Sequence, residues 1–91
     1  MSKPIWYVYG RETCHLCHDM WADVRVYCRQ NQLDVELIWI DIDETPQYKT
    51  LYELRIPVLT NAAHAVLCEG RLDSAKLLAE LAVELDPKLK P

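Results

Sequence analysis

A short stretch near the start of the chain, Gly10-Arg11-Glu12-Thr13-Cys14-His15-Leu16-Cys17-His18, concentrates its reactive side chains. Two thiols three positions apart share one face of a helix. If the helix begins at them, its free N–H groups and partial positive charge favour a thiolate. The first thiol can then attack a disulfide, and the second can displace the mixed disulfide so formed. An apolar, aromatic run, Ile5-Trp6-Tyr7-Val8-Tyr9, leads into the motif, and a helix-like pattern follows it. Strand, C-x-x-C and helix in succession are the context in which such a pair is redox-active rather than incidental.

The other chemistries open to these residues fit less well. Cys14-His15-Leu16-Cys17-His18 matches the C-x-x-C-H pattern of covalent haem attachment, but that needs export and a mostly helical wrap. Cys14, Cys17 and a histidine offer three soft ligands where Zn²⁺ takes four, and no C-x-x-C or H-x-x-H elsewhere in the chain completes the set. No resident metal is therefore expected, although two chains sharing an iron–sulfur cluster through four thiolates stays open as an alternative. Cys28 and Cys68 sit inside apolar patterns and read as core residues. His15, beside the thiols, could act on Cys14 as an imidazolium; His18 stands one turn on, and His64 falls in a turn expected to face solvent. The acidic run Asp41-Ile42-Asp43-Glu44 reads as a solvated corner. Trp21 lies one turn beyond Cys17 on the same face.

The elements that must position these residues can be read in order. Residues 4–9 form a first strand, apolar on both faces, as suits a central strand covered by helices on both sides. Thr13 or Cys14 caps a helix to about Asn31, with Leu16, Met20, Val24 and Tyr27 as the core-facing stripe and Cys17, Trp21 and Cys28 beside it. Val35 to Ile40 is a second strand. Thr45-Pro46 opens a short helix to about Leu54, with Tyr48, Leu51 and Tyr52 inward. Pro57 starts a third strand, Val58-Leu59-Thr60, and Asn61-Ala62-Ala63-His64 turns it into a fourth, Ala65 to Cys68, as an antiparallel hairpin. Asp73 caps a last helix running to Asp86-Pro87, with Leu72 and Leu77 placed as a hydrophobic staple. The expected fold is α/β, βαβαββα, a four-stranded mixed sheet whose first β-α-β unit crosses over right-handed.

Size and charge bound the rest. With 91 residues the chain is expected to form one domain spanning 1–91. Its net charge of −4 comes from interleaved acids and bases, with no basic stripe of the kind nucleic acid requires. Met1-Ser2-Lys3-Pro4 precedes too short an apolar run for a signal peptide or a membrane span, so no membrane partner is expected and a cytoplasmic location follows as the default. In a reducing compartment cysteines serve catalysis or metals more often than structural bridges. The expected state is a monomer.

Taken together, the motif Gly10-Arg11-Glu12-Thr13-Cys14-His15-Leu16-Cys17, then Ile56-Pro57-Val58-Leu59, then Glu69-Gly70-Arg71-Leu72-Asp73, resembles the glutaredoxins, and more narrowly the small glutaredoxin-like proteins carrying Cys-His-Leu-Cys. The resemblance runs from Ile5 to Leu85. It implies a thioredoxin-like fold and a dithiol thiol–disulfide oxidoreductase with Cys14 as nucleophile and Cys17 as resolving thiol. It also implies a cis bond before Pro57, facing the cysteines, so that Ile56 offers its backbone to the substrate. Arg11 corresponds to a basic residue that meets a glutathione carboxylate, and Asp73 to the acid that holds a cationic group. Arg11 and His15 would favour the Cys14 thiolate or orient an anionic substrate. No cofactor is implied, with glutathione a candidate co-substrate, and the partner would be a disulfide-containing protein or a small thiol. Two features depart from the glutaredoxin pattern: His15-Leu16 replaces Pro-Tyr between the cysteines, and Glu69 replaces a glycine. The other class of function consistent with the chain is a thioredoxin-fold module that binds a protein or senses redox state without catalysis.

Overall fold

The computed structural model describes residues 3–73, together with Ala75 and Leu77. In chain order these form β1 (Ile5–Gly10), α1 (His15–Gln30), β2 (Glu36–Asp41), a 3-10 turn (Ile42–Glu44), α2 (Pro46–Tyr52), β3 (Val58–Asn61) and β4 (Val66–Glu69). The four strands make one mixed sheet in the order β2-β1-β3-β4. β1 runs parallel to β2 and antiparallel to β3, and β4 returns antiparallel beside β3. The α/β class and the βαβαββ order match the sequence reading. The closing helix falls largely outside the described residues; Ala75 and Leu77 are helical, and the Leu77 N–H donates to the Asp73 carbonyl at 2.9 Å.

β1 is central, and its alternating side chains feed two cores. Trp6 and Val8 pack with Met20 and Val24 of α1 and with Leu59, Leu67, Cys68 and Leu77. Tyr9 packs instead with Ile42, Tyr52 and Val58 under α2. The β3–β4 register shifts between Leu59↔Cys68 and Thr60↔Val66, so β4 carries an extra residue, and Leu67 and Cys68 both join the α1 core. Leu72 packs against the cluster that includes Leu77.

Several expectations from periodicity are corrected. Leu16 is 59% exposed and is not part of the core stripe; the buried residues of α1 are Cys17, Met20 and Val24. An i, i+3, i+7 set and an i, i+4, i+8 set differ only by a rotation of the helix, and the seating of Cys17 against β1 chooses between them. Leu51 is likewise 54% exposed, because α2 ends at Tyr52 and turns only one face to the sheet. Thr45 stands at the N-cap of α2 but makes no cap bond there; its hydroxyl donates to the Asp41 carbonyl at 3.2 Å. The acidic run is more than a solvated corner, since Ile42 is fully buried. Cys28 is only half-buried and lines an open groove of about 260 Å³ with Arg25, Arg29, Leu33, Val35 and Leu37. No helix among the described residues is long and apolar enough to cross a membrane.

Candidate functional site

β1 ends at Gly10, and the chain makes one tight turn, closed by the Cys14 N–H on the Arg11 carbonyl at 2.9 Å, before α1 starts. Cys14 is the N-cap of α1, with extended φ −88° and ψ 107°. Its sulfur accepts the Cys17 main-chain N–H at 3.2 Å. The same N–H lies 3.1 Å from the Cys14 carbonyl, so one of the free donors at the helix start is shared between thiol and backbone. A sulfur in this position serves as the capping acceptor of the helix.

Cys17 is one turn in and fully buried. It fits there because residue 10 has no side chain. A Cβ on Gly10 would lie 2.8 Å from Cys17 Cβ, 3.1 Å from its sulfur and 2.9 Å from the Trp39 ring. Burial pushes the Cys17 thiol up to about 12, helped by its hydrogen bond to Cys14 and by the proximity of Cys14 charge. The Arg11 main chain, hydrogen-bonded to the Cys17 sulfur, and the Arg11 charge pull the other way. One thiol is therefore partly open to solvent and capped, the other enclosed and neutral.

His18, read from the sequence only as standing one turn on, and Asp43, read as part of a solvated corner, both adjoin the cysteine turn. His18 Nε2 donates to the Glu12 carbonyl at 2.7 Å, and its ring stacks on Trp39 with centroids 5.1 Å apart, bracing the loop before Cys14. Trp39 is in turn met edge-on by Trp21 at 5.9 Å. Asp43 accepts from Arg11 Nε at 2.9 Å and lies 3.8 Å from Lys49 Nζ. An Asx turn holds it in place, with the Asp43 N–H on Asp41 Oδ1 at 2.9 Å. The two aspartates of Asp41-Ile42-Asp43 are the sequence signal for that turn; nothing in the sequence pairs Asp43 with Arg11. His15 is 90% exposed and has Asp19 at 3.8 Å, one turn along. His64 is exposed but engaged: its Nδ1 shares a hydrogen bond with the Tyr9 hydroxyl at 3.2 Å, and its ring stacks on Tyr7.

On the other flank, Tyr9 pairs with Val58, which places Pro57 beside Gly10 at the end of the sheet where the cysteine loop begins. The Ile56–Pro57 bond is cis and Pro57 is buried. The Ile56 N–H is already given to the Tyr52 carbonyl at 3.0 Å; among the described residues no backbone N–H donates to the Ile56 carbonyl. The Pro57 carbonyl accepts from Gly70 at 2.8 Å, drawing in the turn that leads to Asp73. Glu69 does not stand alone there, because Arg55 Nε donates to it at 2.7 Å. Topology thus gathers Arg11, Cys14, Cys17, Pro57 and the approach to Asp73 at one end of the sheet, with His15 on the outer side of the helix start. No group of three His, Cys, Asp or Glu side chains suited to a metal occurs among the described residues.

The glutaredoxin-like domain model (DUF836) matches residues 6–82. The chain belongs to this glutaredoxin-like family. Solved relatives have the same architecture. Protein Ne2328 from Nitrosomonas europaea is 36% identical, over 88% of this chain and 93% of its own, with a TM-score of 0.71. Protein XcR50 from X. campestris is 26% identical, over 86% of this chain and 96% of its own, with a TM-score of 0.65. Thioredoxin 1 from Thermosipho africanus is 15% identical, over 94% of this chain and 99% of its own, at a TM-score of 0.57, a likeness of fold alone. Comparison with curated proteins gave no significant match. The fold is thioredoxin-like.

Proposed function

We propose that this glutaredoxin-like protein is a thiol–disulfide oxidoreductase using Cys14 and Cys17 in a dithiol mechanism. The observation that carries the reading is the asymmetry of the pair: Cys14 accepts the Cys17 N–H at the helix start, while Cys17 is buried beneath Gly10 and neutral. The Cys14 thiolate attacks one sulfur of a disulfide, forms a mixed disulfide with it and expels the other sulfur as a thiolate, which takes up a proton. Cys17 then loses its proton to solvent and attacks Cys14 Sγ. The second substrate thiolate leaves, and Cys14–Cys17 remains as a disulfide, two electrons having passed to the substrate.

The order of events is built into the pair. Two of the influences that keep Cys17 protonated come from Cys14, its hydrogen bond and its charge. Both disappear once Cys14 is tied up in a mixed disulfide, whereas the main-chain and charge support from Arg11 stays. Cys17 therefore becomes easier to ionise at the point where its attack is needed. Ile56 offers its carbonyl to an extended substrate beside Pro57, and Asp73 and His15 meet charged groups at the rim. The reading carries with it a reducing, cytoplasmic setting in which a thiol donor, glutathione or a thioredoxin system, restores the dithiol.

Reduction of hydroxyethyl disulfide, coupled in parallel to glutathione reductase and to thioredoxin reductase, tests the activity and names the donor. Cys14→Ser should abolish turnover. Cys17→Ser should accumulate a mixed disulfide at Cys14, visible as a mass increment removed by dithiothreitol. Turnover surviving in Cys14→Ser would refute the mechanism.

A further inference from the structure

We infer that the Cys14 site selects disulfides bearing neutral or cationic groups over anionic ones, and that Asp43 is the residue that sets this preference. The inference rests on the oxidoreductase reading and names its substrate class. Arg11 is the cation built into the cysteine turn, since its carbonyl receives the Cys14 N–H and its charge reaches Cys17. Its guanidinium is nevertheless ion-paired with Asp43 through Nε, at 2.9 Å. The second cation on this flank, Lys49, lies against the other oxygen of the same carboxylate at 3.8 Å. Glu53 and Asp41 act on Arg11 as well, so two cations face three carboxylates. On the opposite flank Arg55 is taken by Glu69 at 2.7 Å. At the helix start His15 has Asp19 beside it, and Glu12, exposed before Cys14, has no cationic partner among the described residues. Arg71, set between Glu69-Gly70 and Leu72-Asp73 in the chain, is a further cation among the described residues. An approaching carboxylate thus meets Arg11 and Arg55 with their charge already balanced by neighbouring carboxylates, within a surplus of negative charge among the described residues. An ammonium group meets a favourable field.

The test uses three small disulfides that differ mainly in charge: cystamine, hydroxyethyl disulfide and oxidised glutathione. Each oxidises the reduced protein to its Cys14–Cys17 disulfide and is itself reduced to two thiols, and the rate is followed by acid-quenched mass analysis. Dividing each rate by that of neutral dithiothreitol with the same disulfide removes the intrinsic reactivity of the substrate. The expected order is cystamine, hydroxyethyl disulfide, oxidised glutathione, with about a tenfold span between the extremes at low salt. The span should largely collapse near 1 M salt, where the screening length is only about 3 Å. Asp43→Asn, which releases Arg11, should narrow the ratio of cystamine to glutathione rates several-fold. Equal normalised rates, a faster rate with oxidised glutathione, or a ratio unmoved in Asp43→Asn would overturn the inference while leaving the oxidoreductase reading intact. Failure of even the neutral disulfide to oxidise the protein would instead remove the reading on which the inference rests.

Discussion

Cys14 and Cys17 are the same residue type one helical turn apart, and their surroundings make them chemically unlike. With burial pushing the Cys17 thiol up to about 12, it stays protonated at neutral pH. Alkylating agents react with thiolates and need access, which Cys17 lacks on both counts. In the native reduced protein, iodoacetamide should therefore modify Cys14 well ahead of Cys17. Peptide mapping after a short pulse reads this directly, and Cys14→Ser should show almost no labelling at residue 17 until denaturant is added. Comparable labelling of both positions in the native protein would contradict the assigned asymmetry. His15 and His18 illustrate what residue type alone conceals. Both adjoin a cysteine in sequence, yet His18 is held by the Glu12 carbonyl and Trp39 while His15 points to solvent beside Asp19.

At the scale of elements, the site is a junction between the end of β1 and the start of α1, and Gly10 sets the distance between them. An alanine there would bring its Cβ to 2.8 Å from Cys17 Cβ, an atom fixed to the helix that cannot swing aside as a long side chain can. Gly10→Ala should destabilise the protein by about 1–3 kcal/mol, the usual cost of overpacking, and lower the rate of the Cys17 step by displacing it from Cys14. A denaturation midpoint and single-turnover resolution of a Cys14 mixed disulfide measure the two effects; an unchanged midpoint would show that the helix start has room to move. This junction was legible in the sequence, because an apolar run, a glycine and C-x-x-C before a helical pattern leave few alternatives. So was the succession of elements, with Pro57 opening β3, which follows from local signals; the place of Pro57 opposite the cysteines came from the resemblance. The rotation of α1 was not, since Leu16 and Cys17 both head plausible apolar stripes and only the close contact with Gly10 favours the second. The partners of Arg11 and Glu69 were equally hidden. Asp43 lies 32 residues from Arg11 and Arg55 lies 14 from Glu69, and surface ion pairs leave no periodic trace.

For the molecule as a whole, the buried acids of the site and its neighbouring core couple folding to pH on the alkaline side. Burial raises Cys17 from 9.0 to about 12, and it raises Tyr9, enclosed between Tyr48 and Tyr52, from 10.0 to about 12. Both groups are neutral when protonated, so the native state keeps protons that the unfolded chain releases earlier. The stability linked to Cys17 is thus fully present below pH 9 and is lost as pH climbs toward about 12; that linked to Tyr9 is lost between pH 10 and about 12. Urea denaturation of the reduced protein across this range should show falling midpoints from about pH 9 upward. Cys17→Ala should flatten the first part of the fall and Tyr9→Phe the later part. The oxidised protein, in which Cys17 has no proton to lose, should fall less steeply than the reduced one over the same window. Should the reduced, oxidised and Cys17→Ala forms lose stability in parallel, burial of a protonated Cys17 would contribute nothing to the fold, and the ordered ionisation proposed for the pair would lose its physical basis.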